Sequence, residues 1–149
     1  MSQDQFLGYR ETAEQAYAEN ITASGMLPKA EALTKATADF SRLLPDGRDT
    51  DNQHFWVAVD GDHEVGMLWL AITERSDGLH AFGYDFLVHG AFRRRGYGRA
   101  MLAAAEQWCR TRGVVTVGLS VFGANAGAQT LYEALGFKVT MLQMTKTLT

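Results

Sequence analysis

The stretch that decides the fold is Val88–Leu102, VHGAFRRRGYGRAML. It begins where a run of strand-like residues ends, and it finishes in an apolar pattern with helical spacing. Between the two lies a loop of arginines and glycines, RRRGYG (93–98). A helix start presents free N–H groups and the positive end of the helix dipole, and glycine lets an anion approach the backbone closely. The stretch therefore predicts a diphosphate cradle between a strand and a helix.

The spacing of the glycines does not fit two common phosphate-binding loops. A dinucleotide-binding loop has the pattern G-x-G-x-x-G, but Met101 stands where the third glycine would be. The other loop requires Gly-Lys-Ser/Thr, which is absent. Two interpretations stay open at this point: a cradle for a different diphosphate, or a solvated basic loop ahead of an ordinary helix.

The segments before this loop predict two helices and a three-stranded meander. Apolar residues recur at helical spacing in residues 5–20 and 29–43. Three strand-like runs follow, at Phe55–Val59, Val65–Thr73 and Leu79–Val88. An Asp-Gly pair separates each run from the next, and such pairs favour tight hairpin turns.

The segments after the loop predict a strand–helix–strand crossover. Helical spacing covers Gly98–Arg112 and Asn125–Leu135, and strand-like runs cover Val114–Val121 and Lys138–Thr147. The resulting order is α-α-β-β-β-α-β-α-β. It predicts an α+β fold around one mixed sheet, in a single domain covering residues 1–149.

Composition argues against several classes of protein. The chain has 149 residues, 46% of them hydrophobic, and a net charge of -3, so it lacks the basic excess of a nucleic-acid binder. Residues Met1–Arg10 lack the basic-then-apolar pattern expected of a signal peptide, and no apolar run approaches the length of about 20 residues that would span a membrane. Cys109 is the one cysteine, and the histidines show no metal-ligand spacing. We expect a cytoplasmic protein that binds no nucleic acid, membrane or metal.

Two motifs resemble the GCN5-related N-acetyltransferase (GNAT) superfamily. RRRGYG (93–98) resembles its acetyl-CoA signature, Q/R-x-x-G-x-G/A, and NAGAQTLYEALGF (125–137) resembles its segment N-x-x-A-x-x-x-Y-E-x-x-G-F. The resemblance covers about residues 54–149 well and the two N-terminal helices loosely. LLPDGRDTDNQH (43–54) further resembles a branch of uncharacterised bacterial members.

The resemblance implies a mostly antiparallel central sheet with helices on both faces and a bound acetyl-CoA. The strand that ends near Val88 would splay from strand 114–121, and the thioester would lie in the gap. Asn125 would bond the pantetheine arm, and Tyr132 would face the sulfur. The implied acetyl-CoA residues are Phe86, Leu87, Val88, Arg93, Arg94, Arg95, Gly96, Tyr97, Gly98, Arg99, Ala100, Asn125, Ala128 and Tyr132.

Acetyl transfer to an amine needs a base, a donor for the oxyanion and an acid for the leaving thiolate. Tyr132 has an ordinary pKa of about 10 and can supply the acid proton at neutral pH. A backbone N–H near Leu87–Val88 is the expected oxyanion donor. The structural alternatives are that Tyr132 is a core aromatic and that Asn125 only caps its helix.

The base has several candidates. The superfamily often places a glutamate on the central strand, but Phe82 and Tyr84 stand at those positions. Asp85 is the one acid in this strand, and we expect it to act as base or as anchor for the amine, unless it is merely a hydrogen-bonded strand residue. Glu64 and Glu74 are further candidates. Strand alternation puts Asp85 opposite Tyr84, and a bulge would change this.

The expected function is transfer of an acetyl group from acetyl-CoA to a primary amine by direct attack through a tetrahedral intermediate. Asp85 and the net charge of -3 favour a small cationic amine. A longer acyl-CoA is one alternative. A CoA-binding sensor or interaction module without turnover is the other. Homodimers are common in this superfamily, but the sequence leaves the oligomeric state open.

Overall fold

A four-stranded sheet forms the centre of the computed structural model, which describes all residues from Met1 to Thr149. Its strands, in spatial as well as chain order, are β1 (Gln53–Asp60), β2 (His63–Arg75), β3 (Gly78–Val88) and β4 (Val114–Leu119). The first three strands pair antiparallel, and β4 pairs parallel to β3. The predicted α+β fold with a mixed, mostly antiparallel sheet is confirmed.

Four α-helices flank the sheet. They are α1 (Gln3–Ala23), α2 (Lys29–Leu43), α3 (Tyr97–Thr111) and α4 (Ala126–Ala134). Helix α1 is longer at its start than expected because Ser2 and Gln5 form a capping box. None of the helices is both long enough and apolar enough to cross a membrane.

The helices cover both faces of the sheet, as the resemblance implies. On one face, α1 and α2 pack through Phe6 and Phe40 against Phe55, Met67 and Trp69 of β1 and β2. Trp69 is 2% exposed, so it belongs to the core, where tryptophans most often lie. Burial of each such side chain is worth about 1.5–3 kcal/mol.

On the other face, α3 contributes Cys109, which is 2% exposed, to a cluster with Leu68, Leu70 and Ala81. Cys109 is therefore a small core residue. Neighbouring residues of β2 alternate between the two clusters, because successive strand side chains point to opposite faces of the sheet.

The predicted last strand, Lys138–Thr147, is not formed by this chain. Residues 138–149 have no regular secondary structure, and all of them are exposed. A strand requires a partner edge for its N–H and C=O groups, and no backbone hydrogen bond joins this segment to the rest of the chain. The preceding strand also ends earlier than expected, at Leu119 rather than Val121.

Candidate active site

The two parallel strands separate halfway along β3. Their pairing ends where Gly83 lies opposite Leu119, while β3 continues through Tyr84 to Val88. The second half of β3 therefore has β2 on one side and an open edge on the other. This separation, here called the splay, is the gap that the resemblance implies for a thioester.

The open edge presents the backbone groups of alternate residues. The His89 N–H donates to the Val65 carbonyl of the neighbouring strand at 2.8 Å. By strand alternation, the N–H and C=O of Phe86 and Val88 face away from β2, into the splay. The Val88 carbonyl accepts a bond from Arg93 Nε at 3.0 Å. The Val88 N–H is therefore the edge donor nearest the end of the strand, in the region expected for an oxyanion donor.

The loop after β3 leaves a row of backbone donors unused. None of the N–H groups from Arg94 to Arg99 donates to an oxygen of the chain. The helical pattern starts with the Ala100 N–H, which donates to the Gly96 carbonyl at 3.1 Å. Arg94 and Gly96 both adopt left-handed backbone conformations, with φ of 61° and 86°. Such turns expose successive N–H groups to an anion, so the loop has the form of a phosphate cradle.

The arginine side chains around the cradle carry their positive charge into solvent. Arg93, Arg94, Arg95 and Arg99 are exposed, and none of them forms an ion pair. The Arg95 guanidinium lies 5.6 Å from the ring centroids of both Phe92 and Tyr97. These charges are free to meet the phosphates of a ligand.

Gly98 lies where a side chain would enter tightly packed space. A Cβ at Gly98 would lie 3.3 Å from Leu131 Cδ2 and within 3.7 Å of Phe86 and Val88 side-chain atoms. It would therefore point into the junction of α3, α4 and β3. A side chain at Gly98 would therefore disturb this packing.

Tyr132 projects from α4 toward the splay. It is 9% exposed, and its ring centroid lies 6.3 Å from that of Phe86 and 5.6 Å from that of Phe137. Its hydroxyl makes no hydrogen bond within the chain, although no fully enclosed side-chain oxygen lacks a partner. The hydroxyl therefore reaches solvent-accessible space. Burial, and then the nearby charge of Asp85, raises the pKa of Tyr132 and keeps it protonated at neutral pH.

Asn125 is the N-cap of α4, as its structural alternative predicted. Its side-chain oxygen accepts the Ala128 N–H at 3.2 Å, and its carbonyl accepts the Gln129 N–H at 3.2 Å. Both oxygens are thus occupied, which leaves the side-chain NH₂ as its free polar group. This NH₂ group is free to donate the hydrogen bond to pantetheine that is predicted for Asn125.

A β-bulge turns Asp85 toward α1. Trp69 pairs with Asp85, whereas Leu70 pairs with Gly83, so Tyr84 is an extra residue without a partner. The Tyr84 ring stacks on Trp69 at 4.7 Å, which places it on the face that α1 and α2 cover. The expectation that Asp85 and Tyr84 lie on opposite faces is therefore wrong, because the bulge interrupts the alternation.

Asp85 forms a partly buried pair with Tyr9 of α1. The Tyr9 hydroxyl donates to Asp85 Oδ2 at 2.8 Å, and the Phe86 N–H donates to Oδ1 at 2.9 Å. Burial raises the pKa of the Asp85 carboxyl above its usual range, while these two donors oppose the shift. Burial and the neighbouring carboxylate also raise the pKa of Tyr9. The site thus holds a carboxylate of raised basicity beside a protonated tyrosine.

The remaining acid candidates lie outside this constellation. Glu64 and Glu74 are both exposed, and Glu64 bonds to Gln5 at the start of α1. Tyr9 was not among the predicted site residues. The signal for it was weak: a tyrosine on the core face of a helix needs a partner for its hydroxyl, but the sequence does not name that partner.

The molecule combines a mixed sheet with a splayed strand pair, unused amides at the adjoining helix start and a buried tyrosine on α4. These features are those of an acyl-CoA-dependent transferase. Comparison with known families agrees: residues 22–137 match the acetyltransferase (GNAT) family. The chain belongs to the GNAT family, and it is an N-acetyltransferase by class. Family membership also implies use of acetyl-CoA and an acceptor substrate.

The chain resembles two Bacillus subtilis proteins along its whole length. It is 30% identical to the uncharacterised N-acetyltransferase YdgE, over 99% of this chain and 95% of YdgE. It is 34% identical to the uncharacterised N-acetyltransferase YycN, over 99% of this chain and 96% of YycN. The crystal structure of YycN matches 100% of this chain and 96% of its own, at 32% identity and a TM-score of 0.95.

Proposed function

We propose that this N-acetyltransferase moves the acetyl group of acetyl-CoA directly to a primary amine held at the splay. The observation that carries the proposal is the Tyr132 hydroxyl, which has no hydrogen-bond partner in the chain although the residue is 9% exposed and its ring lies 6.3 Å from that of Phe86 on the open edge. A hydroxyl that bonds no group of the chain and reaches solvent-accessible space is free to donate a hydrogen bond or a proton to a ligand bound there.

Acetyl-CoA binding follows from the cradle and the open edge. The pyrophosphate would accept hydrogen bonds from the unused backbone amides of Arg94 to Arg99, and the Arg99 side chain would add positive charge. The pantetheine arm would lie along the Phe86–Val88 edge and pair with it as an added strand does. The NH₂ group of Asn125 would bond the arm from the α4 side. This arrangement brings the thioester into the splay.

The chemical step is attack of the amine on the thioester, followed by collapse of the tetrahedral intermediate. The amine nitrogen attacks the thioester carbonyl carbon, and the oxyanion that forms accepts a hydrogen bond from the Val88 N–H. Collapse of the tetrahedral intermediate breaks the C–S bond, and the thiolate takes the proton of the Tyr132 hydroxyl. Before the attack, the cationic amine gives one proton to Asp85, directly or through water, which frees the nitrogen lone pair. As the intermediate collapses, the nitrogen releases a second proton to solvent and Tyr132 regains a proton from solvent, so that free CoA and an N-acetylated amine leave.

Asp85 also bears on the choice of acceptor. A carboxylate at the splay attracts a protonated amine, and an alkylamine with a pKa of about 10.4 arrives in that form. Raised basicity of the carboxylate favours removal of a proton from the bound amine. A small cationic amine satisfies both conditions, so this class of acceptor is the one that we propose.

A panel of primary amines tests the proposal against the alternative of a CoA sensor. The enzyme is incubated with acetyl-CoA and each amine in turn, and the product is identified by mass spectrometry. We expect an N-acetylated product and free CoA in equal amounts, with cationic amines preferred over neutral and acidic ones. Thermal stabilisation by CoA together with no product from any amine would reject turnover and favour the sensor.

A further inference from the structure

Two exposed apolar residues flank Asp85 on the open half of β3. Tyr84 is 41% exposed, and Leu87 is 37% exposed. Leu87 pairs with Met67, which belongs to the core cluster under α1 and α2, and directly paired residues lie on the same face of a sheet. Tyr84 lies on that face as well. An amine that approaches Asp85 from the side of α1 and α2 therefore meets apolar surface before and after the carboxylate.

The Tyr84 ring is fixed in place by two other aromatic rings. It stacks on Trp69 with 4.7 Å between ring centroids, and Phe82 meets it edge-on at 4.9 Å. Trp69 is buried, so the exposed part of Tyr84 faces away from the core. A side chain that is already packed loses little further conformational freedom when a ligand covers it. Tyr84 thus presents a rigid aromatic surface next to a carboxylate.

The two faces of the sheet separate the acyl donor from the acceptor. The Tyr132 ring lies near Phe86, and Phe86 packs against the core cluster under α3. Tyr132 therefore approaches the splay from the α3 side, whereas Asp85 and Tyr84 border it on the side of α1 and α2. With the thioester in the splay, an acceptor amine enters from the side of α1 and α2. The rest of the acceptor then lies over Tyr84.

The next carboxylate along this side is already neutralised. Tyr17 follows Tyr9 two turns further along α1, and its hydroxyl donates to Asp39 Oδ2 at 3.3 Å. Asp39 also forms ion pairs with Lys35 at 2.7 Å and with Arg42 at 3.6 Å. The two cations repel a further ammonium group. A diamine bound at Asp85 would therefore find no free partner at Asp39 for its second charge.

We propose, on the basis of the acetyl transfer proposed above, that the acceptor is a primary amine with an aromatic ring on a short chain, and that Tyr84 binds this ring. Asp85 attracts the ammonium group, and the ring packs on Tyr84 in an offset or edge-to-face arrangement. The Cα atoms of neighbouring residues are about 3.8 Å apart, so a ligand with few atoms between its amine and its ring reaches both side chains. Leu87 covers apolar surface on the other side of the amine.

Calorimetry on the enzyme–CoA complex tests this binding without turnover. Phenethylamine and butylamine carry the same charge, and only phenethylamine has a ring. We expect phenethylamine to bind about tenfold more tightly, because aromatic pairs attract beyond the area that they bury. Tyr84→Ala should remove most of this difference, whereas Tyr84→Phe, which keeps the ring, should retain it.

Leu33→Ala is the matched control for the calorimetry. It removes an apolar side chain of similar exposure, 45%, from α2, outside the core clusters and away from Asp85 in the sequence, and the preference for phenethylamine should persist. Circular dichroism establishes that each variant is folded. A folded wild type that binds phenethylamine no more tightly than butylamine would overturn the proposal.

Steady-state kinetics with acetyl-CoA separate this inference from the acetyl transfer on which it rests. We expect a higher kcat/KM for phenethylamine than for butylamine or putrescine, and Tyr84→Ala should raise the KM for phenethylamine about tenfold more than that for butylamine. A preference for putrescine that persists in Tyr84→Ala would overturn the inference and leave acetyl transfer standing. Tighter binding of phenethylamine with no acetylation of any amine would support the ring site and overturn the proposed transfer.

Discussion

At the scale of the residue, the environment of Asp85 bears most directly on the proposed mechanism. A partly buried carboxylate loses hydration, and its two hydrogen bonds, from Tyr9 and from the Phe86 N–H, restore part of that loss. The effect of burial is larger than that of the two donors, so the pKa of the Asp85 carboxyl lies above its usual range. The folded chain thus binds this proton more tightly than the unfolded chain does.

This difference fixes the sign of a pH effect. Because the folded-state pKa of Asp85 is the higher one, the contribution of Asp85 to stability is greatest below the unfolded pKa. It declines as pH rises from there through the folded pKa. At neutral pH the charged carboxylate is therefore a cost to the fold, which is the opposite of a salt-bridged aspartate.

Asp85→Asn tests both the cost of the charged carboxylate to stability and the functional role of Asp85. An amide can still accept the Phe86 N–H, and the Tyr9 hydroxyl can turn to accept from its NH₂. We therefore expect the variant to be at least as stable as the wild type at about pH 7. Near pH 4, the free energy of unfolding of the wild type should rise relative to that of the variant. Urea unfolding at both pH values measures this.

The kinetics of the same variant separate the two functional roles of Asp85. As a base, Asp85 predicts a fall in kcat of about 10²–10⁴-fold and a changed acidic limb of the pH–rate profile. As an anchor, it predicts a higher KM for cationic amines. Lower stability at neutral pH with unchanged kinetics would instead assign Asp85 to the structure alone.

The sequence could single out Asp85 but not its surroundings. The sequence pattern indicates Asp85 because it is the one acid in an otherwise apolar strand. The Tyr9 contact joins residues 76 positions apart, and the bulge at Tyr84 depends on how two strands pair. Neither leaves a local pattern, because hydrophobic periodicity reports on one element at a time.

At the scale of the element, the start of α3 carries the interaction with CoA. The Arg99 N–H is one of the unused donors of the cradle, and Arg99 lies in the first helical turn, where proline is tolerated. Arg99→Ala removes the charge and keeps the N–H, whereas Arg99→Pro removes both. The comparison of these two variants therefore isolates one backbone donor.

We expect Arg99→Pro to bind CoA about ten- to a hundredfold more weakly than Arg99→Ala. The reason is that a hydrogen bond to a charged group is worth about 1.5–3 kcal/mol. Calorimetry on variants with matched circular dichroism gives the two affinities. Equal affinities in two folded proteins would move the pyrophosphate away from these amides.

The packing role of Gly98 has its own matched control. Gly98 and Gly127 are each the second residue of a helix, but a Cβ at Gly127 would meet nothing within 4 Å. Gly127→Ala should stabilise the chain by about 0.5–1 kcal/mol through helix propensity. Gly98→Ala should gain less or lose stability, because the new methyl meets Leu131. Denaturant unfolding compares them, and equal gains would show that the junction has room.

Elements with internal signals were predictable, and elements that depend on a partner were not. Helix α4 was expected at Asn125–Leu135 and spans Ala126–Ala134, because cap and apolar face are both local. The segment Lys138–Thr147 has the composition of a strand, but it makes no backbone hydrogen bond with the rest of the chain. Composition reports what a segment can form, and whether a strand forms depends on pairing with another strand, which has no local signal.

At the scale of the whole molecule, the site is assembled from distant parts of the chain. Helix α1 supplies Tyr9, β3 supplies Asp85 and the open edge, the loop before α3 supplies the cradle, and α4 supplies Tyr132. The core clusters on the two faces of the sheet hold these elements together. A change in the packing of α1 should therefore reach Asp85, although α1 lies outside the two sequence motifs.

The most direct test of the central claim is the turnover number of Tyr132→Phe with acetyl-CoA and an accepted amine, in an assay where chemistry limits the rate. Tyr17→Phe is the control, since the Tyr17 hydroxyl is already bonded to Asp39 within the two N-terminal helices. We expect a fall in kcat of about 10²–10⁴-fold for Tyr132→Phe, with unchanged affinity for CoA. Wild-type turnover by a folded Tyr132→Phe enzyme would contradict it.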